Sequence, residues 1–484
     1  MRCQQSYIDV CPLTEHTSPI PARLGFFFAA LLLLVTVRAT AVSILVTTTI
    51  DEISVNGQCS LREAVQAANS DLPVDVCAAG NGADLILLGS GTYTLEIVGR
   101  EEDENLTGDL DLTASLTMVG TGQDQTIIDG GSLDRVINVD PGSIGVSVSI
   151  EGLTIRGGDA ERNTGLREDF GGGIRNHGEL TLRDVTLRNN IAFSGGAIEN
   201  RGVLTLQRTV LVENIATWDG GGVFIAPGAT TTIEDSRILR NSAVSSFGGG
   251  IGNQGTLALY RSELSDNNAL AEGGGLFSDS MLQVESSLVA SNGSDIGGGI
   301  FIQSGTSTLT NVTISGNESR ILGNGGGLAA SGTGTPNVTL LHVTITDNFP
   351  DGIFVDGSGV SSTVANTIIA GNQVADCVSI ENSLMSEGHN LDSDGSCVTD
   401  GINGDLTRAD PGLGPLASNE GPLSTHALVD GSPAIDSGNN DRCAASDQRG
   451  IERPLDGDGD GQISCDIGAF EVSRDLILAD GFED

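Results

Sequence analysis

An acidic segment near the C-terminus has the residue types and the spacing of a cation-binding loop. Residues 456–461 alternate Asp and Gly, so that alternate carboxylates can point at one hard cation while the glycines allow the sharp turn. Ile467 occupies the twelfth position, where calcium loops of this type have a bidentate Glu. A flexible acidic turn without metal is therefore the alternative to the calcium site that we predict from Asp456, Asp458, Asp460, Gln462 and Asp466.

The sequence shows no clear pair of carboxylates that could act as catalytic acid and base. A polysaccharide lyase or a glycoside hydrolase built on an elongated fold needs carboxylates on one outer strand, often beside a basic residue. The residues at one position of four successive repeats alternate in charge instead: Asp184, Arg208, Asp235 and Arg261. This alternation predicts a solvent-facing ladder of salt bridges. A carboxylate pair between repeats, such as Asp235 with Glu263, is the alternative, and the sequence predicts no catalytic residue.

The histidines and the large aromatic residues follow no common spacing. We therefore predict no aromatic sugar platform from Trp218 and Tyr260, which stand too far apart in the repeats. A histidine metal site and a Ser-His-Asp triad have equally little support. We predict solvated loop positions for the four histidines beyond the N-terminal segment, which are His177, His342, His389 and His426.

The elements that must position these residues belong to an internal repeat of about 25 residues. A glycine-rich tripeptide followed by an aliphatic residue recurs, and the aliphatic residues lie 24 to 28 positions apart: Ile174, Ile198, Val223, Ile251, Leu276, Ile300 and Leu328. Between them lie elements such as residues 180–190 (LTLRDVTLRNN), in which apolar and polar side chains alternate. Period two indicates strands, and so short a unit buries its aliphatic side chains only by stacking on the next unit. The repeat predicts an all-β parallel β-helix with one rung per repeat.

An asparagine closes the alternating element of each repeat. Asn tolerates left-handed backbone and can hydrogen-bond within its own turn. Stacked at one corner of the β-helix, these side chains would form an internal ladder. The ladder is predicted for Asn190, Asn214, Asn241, Asn267, Asn292, Asn317, Asn348 and Asn372.

One amphipathic helix is predicted ahead of the repeats, over residues 60–69. Ser60 is a suitable N-cap, and Glu63 completes a capping box three residues later. Because the open end of a stacked β-helix would pair with other chains, we predict that this helix caps the first rung. A partner-binding helix is the alternative.

The N-terminal segment and the cysteines indicate export. Residues 24–37 form an apolar run of signal-peptide length, and an A-x-A cleavage pattern follows at 39–41; a single N-terminal anchor is the alternative. The six cysteines downstream fall into three local pairs, as in disulfide-bonded exported proteins. A zinc site would need a C-x-x-C cluster or a nearby His, which the sequence lacks. We predict the disulfides Cys59–Cys77, Cys377–Cys397 and Cys443–Cys465.

The composition limits the partners. The chain has 64 acidic residues against 23 basic ones, a net charge of −41, which repels nucleic acid over most of the surface. No later stretch approaches 18 apolar residues, so we predict no nucleic-acid partner and no transmembrane segment in the mature chain.

The terminal regions resemble known families of exported bacterial proteins. Residues 59–64 (CSLREA) resemble the signature of the CSLREA domain of β-helix proteins. Residues 431–438, 447–450 and 465–471 resemble the choice-of-anchor Q domain, and the repeats around 195–198 are similar to those of polymorphic outer-membrane proteins. The resemblance implies a right-handed β-helix that is secreted or displayed on the cell surface, with outer-membrane association and a C-terminal anchoring or sorting module. It implies no settled biochemical activity.

These features predict a domain order and a class of function. The order is a leader and signal peptide (1–41), an N-terminal cap (42–82), the β-helix (83–376), C-terminal rungs with the choice-of-anchor Q-like region (377–472) and a tail (473–484). The function predicted is that of a non-catalytic adhesin or glycan binder, secreted or on the cell surface, with an extracellular glycan or a cell-surface protein as partner. A polysaccharide lyase or glycoside hydrolase is the alternative.

Overall fold

The computed structural model describes residues 41–473 except 101, 162–168, 358, 381–383, 400 and 402. The predicted signal peptide and C-terminal tail lie outside these residues, apart from Ala41 and the first tail residue. The described chain coils into a parallel β-helix in which each rung contributes strands to three long faces, named here sheets 1, 2 and 3 in the order in which a rung visits them. A minor sheet of two-residue strands closes the rung.

Most strands belong to one sheet, and four cross a corner into the next. Sheet 1 contains Leu110–Leu112, Ile137–Val139, Ile174–Asn176, Ile198–Asn200, Val223–Ile225, Ile251–Asn253, Leu276–Ser278, Asp351–Asp356 and Ala375–Ser379. Sheet 2 contains Ser43–Leu45, Asp84–Leu87, Leu116–Val119, Val203–Gln207, Thr230–Glu234, Thr256–Tyr260, Met281–Glu285, Ser361–Ala365 and Leu384–Gly388. Sheet 3 contains Gly91–Thr94, Thr126–Asp129, Val210–Val212, Arg237–Leu239, Glu263–Ser265, Leu288–Ala290, Thr313–Ser315, Thr344–Thr346, Ile368–Ala370, Leu391–Asp392 and Leu406–Thr407.

The corner-crossing strands and the minor sheet complete each rung. Ser147–Arg156 and Glu179–Arg188 run from sheet 2 into sheet 3, whereas Ile300–Thr310 and Leu328–Leu341 run from sheet 1 into sheet 2. The minor sheet contains Ile191–Ala192, Ile215–Ala216, Ser242–Ala243, Asn268–Ala269, Gly293–Ser294 and Glu318–Ser319.

The interior is a set of aliphatic columns. Ile198 pairs with Ile174 on one side and with Val223 on the other, and all three side chains are fully buried. Within a strand the burial alternates as period two requires, so that Leu180 is buried while the neighbouring Thr181 is partly exposed. The predicted all-β parallel β-helix is confirmed.

The asparagine ladder is also confirmed. The Asn214 carboxamide oxygen accepts hydrogen bonds from the backbone N–H (3.1 Å) and from the side chain (3.0 Å) of Asn190. The same pair of bonds links each ladder residue to the next as far as Asn372, whose side chain donates to Asp376 (3.0 Å). One detail differs from the prediction, because the left-handed residue is the one before each ladder Asn, such as Glu213 at φ 57°.

The glycine triplets make close contact with the next rung. Gly220 has φ 65°, and a Cβ on Gly221 would lie 2.3 Å from the carbonyl oxygen of Gly249. Only glycine permits both the left-handed turn and this approach of two backbones. The triplets therefore have a structural role.

The predicted helix covers the first rungs. It spans Leu61–Ser70, and both bonds of the capping box between Ser60 and Glu63 are present. The helix packs against Leu110–Leu112, and its buried Arg62 forms an ion pair with Asp51 (2.7 Å). The disulfide Cys59–Cys77 ties the start of the helix to the segment that follows it.

The C-terminal segment returns along the outside of sheet 3. It contains an antiparallel hairpin of Leu413–Ala417 with Thr425–Leu428 and a 3-10 helix at Asn440–Arg442. Its Gln448 accepts a hydrogen bond from Thr313 (2.6 Å), and Ala469 N–H donates to Thr344 (2.9 Å). Within the described ranges, no helix has both the length and the apolar character needed to cross a lipid bilayer.

Candidate functional site

Three aromatic side chains stand in consecutive rungs at the corner before the glycine triplets. The ring centroids of Phe170 and Phe193 are 5.9 Å apart with the rings edge to face, and those of Phe193 and Trp218 are 5.9 Å apart with the rings nearly parallel. Trp218 remains 45% exposed. The prediction of no aromatic sugar platform stays a prediction, but it did not include the two phenylalanines that the stacking of rungs brings beside Trp218.

Backbone pairing explains why these rings align. Trp218 N–H donates to the carbonyl of Phe193 (2.7 Å), and Phe193 N–H donates to that of Asp169 (2.7 Å). Phe193 and Trp218 thus occupy equivalent places in consecutive rungs, about 4.8 Å apart. Phe170 pairs with Ser194 instead, one position further along the chain, and meets Phe193 edge to face. We refer to Phe170, Phe193 and Trp218 as the aromatic row.

Charged side chains flank the aromatic row on the outer face of sheet 1. The Arg201 guanidinium lies 5.6 Å from the centroid of the Phe170 ring, within cation–π range. It also pairs with Glu199 (2.6 Å), which pairs in turn with Arg175 (3.0 Å). The Glu199 side chain is fully buried, whereas that of Arg201 is 37% exposed. Glu199 therefore orients Arg201 and leaves its outer edge available as a hydrogen-bond donor.

Asp219 follows Trp218 directly and is buried. Burial raises the pKa of this carboxyl to about 7, although the Ser246 hydroxyl and the Phe247 N–H oppose the change. Its Oδ1 has no hydrogen-bond partner among the described residues. This oxygen is buried and therefore does not face a ligand on the exposed side of Trp218.

A second group of ionisable residues lies further towards the N-terminus on the same outer face. Asp111, Asn138, Arg175 and Glu199 hold the same position in four consecutive rungs. Burial raises the pKa of Asp109 to about 7 against the opposing charge of Arg135, with which it forms a 2.8 Å ion pair. Burial and the neighbouring Asp109 raise the pKa of Asp111 to about 8.

This carboxyl pair has the proton affinity of a general acid near neutral pH. Asp109 is only 4% exposed and Asp111 is fully buried. A polymer cannot reach either group without rearrangement of the chain around it. The arrangement is therefore suited to holding protons inside the protein rather than to delivering them to a bound chain.

The predicted ladder of salt bridges is present. Arg208 pairs with Asp184 (2.6 Å) and Arg261 with Asp235 (2.7 Å), with all four side chains about half exposed. The Arg208 hydrogen bond lowers the pKa of Asp184. Glu263 pairs with Arg237 (2.7 Å), so the alternative carboxylate pair of Asp235 with Glu263 does not form.

The calcium-loop residues do not all come together. Asp456 and Asp458 can each place a carboxylate oxygen within 4.8 Å of one on Asp436, a residue that the loop pattern did not include. The Asp436 carboxylate also accepts hydrogen bonds from the backbone N–H groups of Gly457 (3.2 Å) and Asp458 (2.8 Å).

The last three predicted ligands have other partners or positions. Asp460 accepts a local bond from Gln462 N–H (2.7 Å). Asp466 turns inward and accepts bonds from Asp436 N–H (2.8 Å) and Val472 N–H (2.6 Å). Burial and the nearby Glu471 raise the pKa of Asp466 to about 8. Calcium binding stays a prediction, with Asp436 as the ligand that the spacing could not show.

Two of the four histidines are not in solvated loops, so that prediction is wrong for them. His342 is fully buried and contacts Arg453, and burial and this guanidinium hold its pKa well below the usual range. His426 is buried, with its Nε2 2.9 Å from the Ser315 hydroxyl and its Nδ1 donating to Gly414 O (2.8 Å). Both contacts join the C-terminal segment to sheet 3 over long sequence separations that no local pattern reveals.

The six cysteines of the described chain form the three predicted disulfides. The Cα–Cα distances are 5.1 Å for Cys59–Cys77, 5.0 Å for Cys377–Cys397 and 6.2 Å for Cys443–Cys465. Each bond closes a short loop and limits the unfolded chain. Disulfides are typical of proteins that fold in oxidising compartments.

Comparison with known proteins agrees with the fold. The family model for the right-handed β-helix region matches residues 171–339. This part of the chain is a right-handed β-helix. No curated protein matches the chain.

Two solved structures resemble the chain at low sequence identity. Pectate lyase Pel9A shares 14% identity, with a TM-score of 0.44 over 90% of this chain and 97% of that one. The A-module of mannuronan C-5 epimerase AlgE6 from Azotobacter vinelandii shares 16% identity, with a TM-score of 0.32 over 67% and 91%. The CSLREA, choice-of-anchor Q and outer-membrane repeat resemblances stay predictions.

Proposed function

We propose that this protein is a non-catalytic carbohydrate-binding β-helix that acts outside the cell, secreted or on the cell surface. The observation that carries the proposal is the exposed face of Trp218, which stacks on Phe193. The other end of this row, Phe170, lies against the Arg201 guanidinium. A sugar ring offers an apolar C–H face to an indole, and its hydroxyls pair with guanidinium and carboxylate groups. The predicted signal peptide, the three disulfides and the choice-of-anchor Q-like segment support the location.

A glycan array with the mature chain tests this proposal. We expect binding to one or more extracellular glycans, and we expect Trp218→Ala to lower the affinity at least tenfold because the stacking surface is lost. Tyr260→Ala is the matched control, since it removes a partly exposed aromatic ring from sheet 2. Equal affinity of the two variants for every glycan would refute the site, and binding only to a cell-surface protein would favour an adhesin without glycan specificity.

A polysaccharide-cleaving enzyme is the second candidate, and one observation favours it. Asp109 and Asp111 are neighbouring carboxyls with raised pKa values on the outer face of sheet 1, close to Arg135. Such a set contains the groups needed for acid and base catalysis, and this candidate function requires the chain around the two buried carboxyls to rearrange so that a polymer can reach them. Release of unsaturated or reducing ends from a polysaccharide by the wild type, and its loss in Asp111→Asn, would replace the non-catalytic proposal. We expect no release from either protein.

Calcium binding is tested separately through thermal stability. A cation that binds only the folded chain raises its free energy of unfolding, by about 2.7 kcal/mol when the free cation concentration is one hundred times the Kd. The melting temperature rises as a result. We expect a chelator to lower the melting temperature of the wild type and to have little effect on Asp458→Asn. An unchanged melting temperature in the wild type would mean that residues 456–461 form only an acidic turn.

A further inference from the structure

The end of the aromatic row opposite Trp218 lies beside cationic side chains. Phe170 is the last ring of the row, and the Arg201 guanidinium lies 5.6 Å from its centroid. Within the row, neighbouring ring centroids are 5.9 Å apart at both steps. Each group from Trp218 to Arg201 therefore adjoins the next, so a ligand that extends along the row from Trp218 meets the guanidinium.

One edge of the Arg201 guanidinium has no partner in the protein. Its Nε (2.7 Å) and its Nη2 (2.6 Å) both contact Oε1 of Glu199, while Oε2 of Glu199 accepts a bond from Arg175 (3.0 Å). Among the described residues, Nη1 of Arg201 makes no hydrogen bond and no ion pair. Because a guanidinium presents its donors as a planar fork, the edge that carries Nη1 can bind a second acidic group.

His177 lies beside Arg201 in the preceding rung. The backbone N–H of His177 donates to Val139 O (3.0 Å), and that of Arg201 donates to Asn176 O (2.8 Å). The two residues thus hold equivalent places at the corner after sheet 1, about 4.8 Å apart. The His177 imidazole is partly exposed, and within the described part of the chain it makes no hydrogen bond. It therefore adds a second available donor beside Arg201.

Guanidinium groups dominate the charge around His177. Burial, then Arg175 and Arg201, lower the pKa of this imidazole to about 4, and Arg135 acts in the same direction. Asp140 opposes them, but its carboxylate is buried and accepts hydrogen bonds from backbone N–H groups. The imidazole is therefore uncharged near neutral pH and can donate one N–H to an anion.

This local cationic character differs from that of the whole chain, whose net charge is −41. An anion at Nη1 of Arg201 gains a charge-assisted hydrogen bond, which is stronger than the bond that a neutral hydroxyl makes there. Repulsion from distant carboxylates is largely screened, because the Debye length is about 8 Å at physiological salt. The overall negative charge is therefore compatible with an anionic ligand at this position.

We infer that Arg201 and His177 form a subsite for an anionic group, a carboxylate or a sulfate ester, on the glycan that the aromatic row binds. The inference rests on the proposed function in taking the ligand to be a glycan, and it adds the chemical class of that glycan. The Phe170 ring contacts both Phe193 and Arg201. A sugar on the row and its anionic group would thus be bound by adjoining surfaces.

Calorimetric titration of the full mature chain with matched pairs of oligosaccharides tests the inference. One pair is oligogalacturonate and its carboxyl-reduced form, and the other is a sulfated galactan oligomer and its desulfated form. The two pairs distinguish a carboxylate from a sulfate, and calcium-free buffer prevents a cation from bridging the ligand to protein carboxylates. We expect the anionic member of at least one pair to bind at least tenfold more tightly than its neutral partner.

Substitutions in the subsite should remove this preference. Arg201→Gln should lower the affinity for the anionic oligosaccharide at least tenfold, whereas Arg201→Lys keeps the charge and should keep part of the preference. His177→Leu should weaken anionic binding several-fold, and it covers the case in which Arg201→Gln does not fold. Arg183→Gln is the matched control, because Arg183 is also 37% exposed but pairs with Glu151 on sheet 2. It should leave both affinities unchanged.

Two results with bound glycan would overturn the inference: equal affinity for the two members of both pairs, and an unchanged preference in both Arg201→Gln and His177→Leu. Loss of that binding in Trp218→Ala would still leave the proposed function standing. A preference that Arg201→Gln removes and Trp218→Ala does not affect would support the subsite and refute the aromatic row.

No binding of any of the four oligosaccharides would also overturn the inference. Binding of a neutral glycan on the array, lost in Trp218→Ala, would then keep the proposed function without an anionic ligand.

Discussion

The outer face of sheet 1 differs between its two halves although the backbone repeats. Its first four rungs present polar side chains at the middle strand position, namely Asp111, Asn138, Arg175 and Glu199. The following rungs present phenyl rings at most of the same positions, namely Phe224, Phe277, Phe301 and Phe354. Both sets are largely buried. The first is held by the Arg175–Glu199 ion pair and by hydrogen bonds to Asp111. The second packs by apolar contact, with the Phe277 and Phe301 rings stacked.

This difference shows that the repeat constrains the inward-facing residues of each rung and not the outward-facing ones. The inward columns must be aliphatic or amide in every rung, because each rung is buried only by its neighbours. The outward position carries no such requirement, so its residues vary according to what covers them. The aromatic row lies where the polar half meets the apolar half, and this boundary is where the exposed Trp218 stands.

The apolar half should be the more costly to disrupt. Phe277 is 1% exposed and stacks between Phe247 (4.0 Å) and Phe301 (5.8 Å). Phe277→Ala should lower the free energy of unfolding by about 3–5 kcal/mol, because it removes the stacking partner and leaves a cavity. Urea denaturation measures this loss. Met281→Ala, at a 57% exposed side chain, is the control, and an equal loss there would show that the outer rings do not contribute specifically.

The stability of the polar half should depend on the Glu199 carboxylate. Glu199→Gln removes the negative charge that pairs with Arg175 and Arg201 and should cost about 3 kcal/mol, because it leaves buried positive charge uncompensated. Glu213→Gln is the control, since its pair with Arg240 (3.2 Å) is half exposed and worth less than about 1 kcal/mol. Similar denaturation midpoints for the two variants would contradict the role given to Glu199.

The two halves should also differ in their response to pH. Burial raises the pKa values of Asp109 and Asp111 to about 7 and about 8, from the ordinary value of 3.8. Between the ordinary pKa and these raised values, the folded chain binds more protons than the unfolded chain. The free energy of unfolding therefore falls as the pH rises, by about 1.4 kcal/mol per pH unit for one carboxyl. Asp111→Asn should flatten the decline in the urea midpoint between pH 5 and pH 8.

Asp184→Asn supplies the matched control for the pH experiment. Arg208 lowers the pKa of Asp184, so its contribution is lost only as the pH falls below the ordinary Asp value. The substitution should leave the slope between pH 5 and pH 8 unchanged. A wild-type stability that rises with pH across this range would show that Asp109 and Asp111 are not held in the protonated form.

The fold could be predicted because its causes are local and repeated. The alternation around Leu180, the spacing of Ile174 and Ile198, and the recurring Asn each report on the same rung geometry many times over. The capping box of Ser60 and Glu63 is equally local. Such patterns need no knowledge of which distant segments meet.

The candidate sites could be predicted only in part because they depend on distant contacts. Trp218 looks isolated until the rung register brings Phe193 beside it. Asp436 reaches the acidic loop because the C-terminal segment folds back on itself. His342 and His426 become buried because that segment returns along sheet 3. Neither composition nor spacing encodes that return, so the sequence could not place these residues.

Fluorescence titration of the chain's single tryptophan tests the central claim most directly, because Trp218 is the only such reporter in the sequence. If glycans bind at the aromatic row, the emission of Trp218 should shift or be quenched in step with the calorimetric binding curve of the same glycan. Calorimetric binding of that glycan with no change in Trp218 emission would contradict the account.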